Sequence, residues 1–275
     1  MLADRVKVVL ILLPIGLVVF YLGGIIYLIA ITLVLSLAAF EYANLFRAGG
    51  LEPSRILLII GTAALAIGRG LDDFTSVPWL LTLIIFAAMG YHLVQFERGR
   101  GQAGTDFAVT LSGSLYFGWL GAYLVSLRQL PDGFWWLLLT LGCVWIGDSG
   151  AYFIGKNFGK HRMSPRLSPK KSWEGYFAEL VTGALGGLLL AWLFGYFSWT
   201  SAAMQPWHGM VLGLVLAVFT PLGDLGESMI KRQVGVKDSS NLLPGHGGAW
   251  DRIDSWLWAA PLGYYLITLL FLRFG

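Results

Sequence analysis

The sequence predicts an all-α protein, a polytopic helical bundle embedded in a membrane, and three observations carry that prediction. The chain is 56% hydrophobic and only 13% charged, with a mean hydropathy of +0.69, whereas a soluble domain carries roughly 25% charged residues. Apolar runs of about 20 residues, each able to cross ~30 Å of hydrocarbon, recur along it. Its cations fall almost entirely on one side of those runs.

The runs divide into about nine expected spans, near 6–22, 24–46, 54–70, 77–96, 106–128, 133–155, 174–198, 206–228 and 256–274. Residues 6–46 are nearly all apolar. At ~1.5 Å per residue one helix there would be about 60 Å long, twice the bilayer core, so two helices split at Gly23-Gly24 are expected. More spans follow the first run, and no small-residue cleavage site ends it, so it reads as a retained helix and not a signal peptide. Cys143, the sole cysteine, lies inside an apolar run and excludes a disulfide framework. The twelve tryptophans fit an aromatic belt at the span ends. The expected organisation is one membrane domain, 1–275, in which residues 1–130 form helices of unspecific pattern and 131–275 carry the motifs.

With these spans, Arg5, Lys7, Arg47, Arg55, Arg98, Arg100, Lys156, Lys160, Arg162, Arg166, Lys170, Lys171, Lys231, Arg232, Lys237 and Arg252 share one side. Only Arg69, Arg128 and Arg273 remain of the nineteen Lys and Arg. Cytoplasmic loops carry such an excess. The N-terminus and both large polar loops are therefore expected in the cytoplasm of a cell with the chain in its inner membrane, and the C-terminus on the opposite side.

The first polar loop, Lys156–Trp173, holds six cations and no acid. Charge alone would make it a headgroup anchor. The Ser168-Pro169-Lys170-Lys171-Ser172 segment argues for more, since proline and hydroxyls specify a shaped turn. The second, Ser228–Asp254, gathers Lys231, Arg232, Lys237, Asp238, His246, Asp251, Arg252 and Asp254 around Pro244-Gly245-His246-Gly247-Gly248. Glycine there exposes backbone N–H groups and permits φ > 0, which suits an anion cradle.

Acids at membrane depth are costly and need compensation. Asp148 ends the sixth span beside the small-residue stripe Gly147, Ala151, Gly155 and Gly159, a pattern for close helix packing. On a helix Asp224, Glu227, Ser228 and Lys231 form one polar stripe. Asp251 and Asp254 open the last span; one acid would satisfy helix capping, and two exceed it. Oxygen-rich clusters of this kind suit Mg²⁺. Glu41, His92, Glu179 and His208 lack a surrounding cluster and are set aside, although Glu41 and Glu179 are placed to line the same cavity.

These residues resemble a known family. The pattern Ser228-x-Ile230-Lys231-Arg232-x₄-Lys237-Asp238-x₅-Pro244-x-His246-Gly247-Gly248-x₂-Asp251-Arg252-x-Asp254 is similar to the signature of phosphatidate cytidylyltransferases, or CDP-diacylglycerol synthases. Asp148-Ser149-Gly150-Ala151-Tyr152, Gly155-Lys156 and Ser168-Pro169-Lys170-Lys171-Ser172-x-Glu174-Gly175 match as well. The likeness is specific over roughly the C-terminal half. Ala249 departs from it, where the family pattern prefers a larger aliphatic residue. The resemblance implies the reaction of CTP with phosphatidic acid to give CDP-diacylglycerol and pyrophosphate, dependent on Mg²⁺, with a monovalent cation such as K⁺ at the same site and a homodimeric assembly. It implies no nucleic-acid partner.

On that footing Asp148, Asp224 and Asp251, backed by Asp254 and Glu227, are the expected metal ligands. Asp224, Asp251, Lys231 and His246 are the expected catalytic residues. Ser168, Lys170, Lys171, Ser172, Arg232, Lys237, Asp238, Gly247, Gly248 and Arg252 are expected to bind substrate. The diacylglycerol tails would stay among membrane lipids. Two other readings compete: a CTP-dependent polyprenol kinase, which would leave CDP, and an ion-coupled organic-anion transporter, whose charges would lie nearer the bilayer midplane.

Overall fold

The computed structural model describes residues 2–197, 199–200, 204–240 and 247–272, with the backbone alone for 2–9 and 11. Six of its helical segments are long and apolar enough to cross a membrane: Gly24–Ala48, Val77–Glu97, Ala103–Gln129, Gly133–Phe158, Trp173–Tyr196 and Pro206–Gln233. Three expected spans fall on other helices, α1 (Leu2–Leu22), α3 (Arg55–Asp72) and α11 (Trp250–Leu266). The chain forms two compact units, 1–126 with 230–253, and 127–229 with 254–275.

In the first unit, α1 ends at Gly23 and α2 (Gly24–Ala48) begins at once. The break uses two consecutive positive-φ residues, Gly23 at 63° and Gly24 at 53°, a conformation open to glycine at no steric cost. Residues 6–46 are thus two helices, as their length required. Ser54 caps α3, its Oγ accepting the Leu57 N–H at 3.4 Å, and α4 (Val77–Glu97) carries a proline in its first turn, where no N–H is needed. The expected span 106–128 is irregular: α5 (Ala103–Gly113) passes into a π-helical stretch, Ser114–Leu120, before α6 (Tyr123–Gln129). Gly118 sits in that stretch against α3, and a Cβ on it would come within 2.8 Å of Leu65 Cδ1. The returning segment Ile230–Ile253 packs here through Trp250, 1% exposed, whose ring lies 5.5 Å from Tyr42 and 5.3 Å from Phe117.

In the second unit, α7 (Gly133–Phe158) leads into a two-stranded antiparallel hairpin, β1 (Arg162–Ser164) and β2 (Ser168–Ser172). The all-α expectation fits the molecule, and the cationic loop adds this one short hairpin to it. The hairpin opens directly into α8 (Trp173–Tyr196), capped by Ser172, whose Oγ accepts the Gly175 N–H at 3.2 Å. The small-residue stripe on α7 faces α8, with Gly155 and Gly175 so close that a Cβ on Gly155 would lie 3.5 Å from Gly175 Cα. Helix α9 (Pro206–Phe219) crosses α8 backbone to backbone at Gly183, Gly187, Gly209 and Gly213, the small-xxx-small packing of membrane helices. A turn at Thr220 then starts α10 (Pro221–Gln233).

Candidate active site

Each unit builds one group of carboxylates. In the second unit, α10 starts on Pro221, and Asp224 lies in its first turn, where the helix dipole favours negative charge. Glu227 follows at i+3 and shares that face. Gly223 allows α10 to come down on α11: a Cβ there would lie 2.6 Å from both the Asp254 carbonyl oxygen and Trp258 Cδ1. Asp224, Glu227 and Asp254 consequently present carboxylate oxygens all within 4.8 Å of one another. Two unit charges at that separation repel by about 3 kcal/mol at an effective dielectric of ~20, so a positive charge beside the trio stabilises it.

Lys171 supplies one positive charge, its Nζ 2.5 Å from Asp224 Oδ2. The two neighbouring lysines of β2 lie in different surroundings. Lys171 turns inward, while Lys170 is exposed and its carbonyl accepts from Arg162 Nη1 at 3.3 Å. Asp148 on α7 lies within electrostatic reach of Lys171, Asp224 and Asp254, and Glu179 on α8 reaches Asp148, Lys171 and Asp224. Four carboxylates, Asp148, Glu179, Asp224 and Asp254, therefore lie within reach of one lysine. An all-oxygen donor set with surplus negative charge fits a hard divalent cation such as Mg²⁺.

In the first unit, Asp251 accepts from Lys231 Nζ at 2.6 Å, Ser239 N at 2.9 Å, Ser239 Oγ at 2.7 Å and Gly248 N at 2.8 Å. Burial alone would push its carboxyl up; the Lys231 ammonium and the Gly248 N–H outweigh that and hold it at about 2. Glu41 of α2, 2% exposed, accepts four further donors from the same segment: Ser239 Oγ, Ser240 Oγ, Ala249 N and Trp250 N, at 2.6–3.0 Å.

The expected site residues thus separate. Asp224, Glu227 and Asp254 come together, with Asp148 and Lys171 beside them. Asp251, expected among the metal ligands, forms the ion pair with Lys231. Gly248, expected to cradle phosphate, gives its N–H to Asp251, and Gly247 adopts φ 77° so that the loop can turn under that carboxylate. Ser172, expected on substrate, caps α8 and is 3% exposed, and Ser168 sits half-buried opposite Ser164 in the hairpin. Arg232, Lys237, Asp238 and Arg252 are exposed. His246, with residues 241–245, lies outside the described residues. Glu41 and Glu179 carry no motif; their signal in the sequence is a carboxylate at membrane depth, which requires a partner.

Comparison with known proteins agrees with this chemistry. The sequence model of the Cytidylyltransferase family matches residues 3–270. The chain is 37% identical to the phosphatidate cytidylyltransferase of Synechocystis sp., covering 90% of each, and 37% identical to that of Pseudomonas aeruginosa, covering 95% of each. It is 38% identical to that of Bacillus subtilis over 58% of each chain. With a match over nearly its whole length and a cluster of acids suited to a divalent cation, the chain belongs to the Cytidylyltransferase family.

Proposed function

We propose that this chain transfers CMP from CTP to phosphatidic acid, giving CDP-diacylglycerol and pyrophosphate, as the first step of phospholipid head-group assembly. The observation that carries this reading is the full-length likeness to phosphatidate cytidylyltransferases, joined to the Asp224, Glu227 and Asp254 cluster with Lys171.

The phosphate of phosphatidic acid is anionic at neutral pH, so its oxygen attacks the α-phosphorus of CTP without a general base. The bond from the α-phosphorus to the bridging oxygen breaks, and pyrophosphate leaves. The barrier is electrostatic, because two polyanions must meet. Asp224, Glu227 and Asp254 would hold Mg²⁺, with Asp148 adding charge beside them. Bound there, Mg²⁺ neutralises charge on the triphosphate and on the leaving group. Lys171, paired with Asp224 at 2.5 Å, would serve as a clamp for a phosphate oxygen. Lys231, Arg232, Lys237 and Arg252 hold phosphate oxygens, and the exposed Lys170 attracts the anionic headgroup.

The finer topology belongs to the same proposal: nine spans around a polar cavity open to the cytoplasm of the inner membrane, with the C-terminus outside. The sixteen-to-three distribution of Lys and Arg supports it. The resemblance adds a homodimer and K⁺ beside Mg²⁺. The decisive experiment incubates purified protein with phosphatidic acid, labelled CTP and Mg²⁺. A labelled lipid with stoichiometric pyrophosphate is the expected result; CDP release would assign a kinase, and no turnover in detergent would leave a transporter.

A further inference from the structure

The geometry points to Glu41 as the positioning residue that sets the nucleotide-binding geometry of Lys231, an inference that rests on the cytidylyltransferase reading. Glu41 lies on α2, in the half of the chain whose sequence carries no motif, yet it is 2% exposed and accepts from four donors. Each oxygen takes one hydroxyl and one backbone N–H. Oε1 accepts from Ser240 Oγ at 2.6 Å and Ala249 N at 3.0 Å; Oε2 accepts from Ser239 Oγ at 2.9 Å and Trp250 N at 2.9 Å. These donors are the two described ends of one segment, Ser239-Ser240 and Ala249-Trp250, so one side chain holds both ends together.

The bond pattern leads from there to Lys231. Ser239 also donates its N–H to Asp251 at 2.9 Å, and Asp251 accepts Lys231 Nζ at 2.6 Å. A Cβ at Gly248 would collide with Ser239 Oγ and with Glu41 Oε2, so the glycine is required by the same clasp. Trp250 packs edge-on against Tyr42, the residue after Glu41, with ring centroids 5.5 Å apart. A buried carboxylate is tolerated only when such donors satisfy it. This one is satisfied entirely by the segment it holds.

Glu41→Gln keeps the shape but turns one acceptor into an NH₂ that faces two donors. Glu41→Asp keeps both acceptors on a shorter stem. The test uses the full chain in detergent and measures KM for CTP, KM for phosphatidic acid and equilibrium binding of labelled CTP without lipid. Glu41→Gln is expected to raise KM and Kd for CTP roughly tenfold, since a buried donor–donor conflict forfeits both bonds, with KM for phosphatidic acid within about twofold. Glu41→Asp recovers part of the loss, and Glu97→Gln, exposed at the end of α4, changes neither constant. A lower melting temperature with unchanged Kd for CTP would make Glu41 a packing residue and overturn the inference. Should Glu41→Gln fail to fold, Ser240→Ala, which deletes a single donor, carries the same test: a Kd for CTP equal to that of the wild type overturns it. If the wild type binds CTP but forms no labelled lipid, the cytidylyltransferase reading fails while the Kd comparison still decides the role of Glu41.

Discussion

Lys171 places its ammonium 2.5 Å from Oδ2 of Asp224, joining the hairpin to the first turn of α10, while the adjacent Lys170 is exposed. Two lysines that look equivalent in sequence therefore differ in their surroundings. Lys171→Ala is expected to lower kcat/KM by ~10²-fold, the scale for losing a charge aimed at the reacting phosphates. Lys170→Ala should cost less than about fivefold, as for an exposed charge. Steady-state kinetics with labelled CTP checks both, and equal losses would show that the two lysines do not differ in role.

The carboxylates of Asp224, Glu227 and Asp254 lie close enough to share one cation. Chelation with EDTA is expected to abolish turnover, and Mg²⁺ to restore it. Asp224→Asn and Asp254→Asn should each raise the half-saturating Mg²⁺ concentration ~10–100-fold, the range found when a metal site loses part of its support, with some of the rate returning at high Mg²⁺. Asp148→Asn should shift it less. A rate that falls while Mg²⁺ half-saturation stays fixed would remove that residue from the cation site.

Much of this was legible before any coordinates. The Gly23-Gly24 break followed from length, the stripe from Gly147 to Gly159 from spacing, and the Asp224–Glu227 pair from helical periodicity. The hairpin at Arg162–Ser172 was not, because three- and five-residue strands rich in lysine carry no hydrophobic alternation. Nor were the partners of Glu41, which lie 198–209 positions away in sequence, a distance that no local pattern spans. Asp251 illustrates the same limit: its place one turn before Asp254 suggested a shared metal, whereas its carboxylate is taken up by Lys231 and Ser239, partners 20 and 12 positions away in sequence.

Gly223 and Gly226 offer a paired test of how α10 meets α11. A Cβ on Gly223 would strike the Asp254 backbone and Trp258, whereas Gly226 has nothing within 4 Å. Gly223→Ala is expected to push the helices apart and disperse the carboxylates, losing most activity at any Mg²⁺ concentration. Gly226→Ala should keep the cluster and gain ~0.5–1 kcal/mol of helix stability. Mg²⁺ titration and thermal melts of both variants are the measurement; a Gly223→Ala enzyme with normal Mg²⁺ dependence would show that the close approach is not what assembles the trio.

The crossing of α8 and α9 makes a stability prediction independent of chemistry. Gly209 and Gly213 press on the carbonyls of Gly187 and Gly183, so that a Cβ on either would overlap backbone that cannot swing aside. Gly213→Ala should therefore destabilise by ~1–3 kcal/mol, the usual cost of overpacking. A Cβ on Gly183 would lie 3.0 Å from the Gly213 carbonyl, and relief by a small shift makes Gly183→Ala milder. Gly195, near the end of α8, has its nearest neighbour at 3.9 Å, and Gly195→Ala should be neutral or slightly stabilising. Because α8 begins at the Ser172 cap that ends the Lys171 strand, Gly213→Ala should also weaken activity in proportion to the folded fraction lost. Melting curves in one detergent decide the matter: if Gly213→Ala melts no lower than Gly195→Ala, backbone contact at this crossing does not set the stability of the unit.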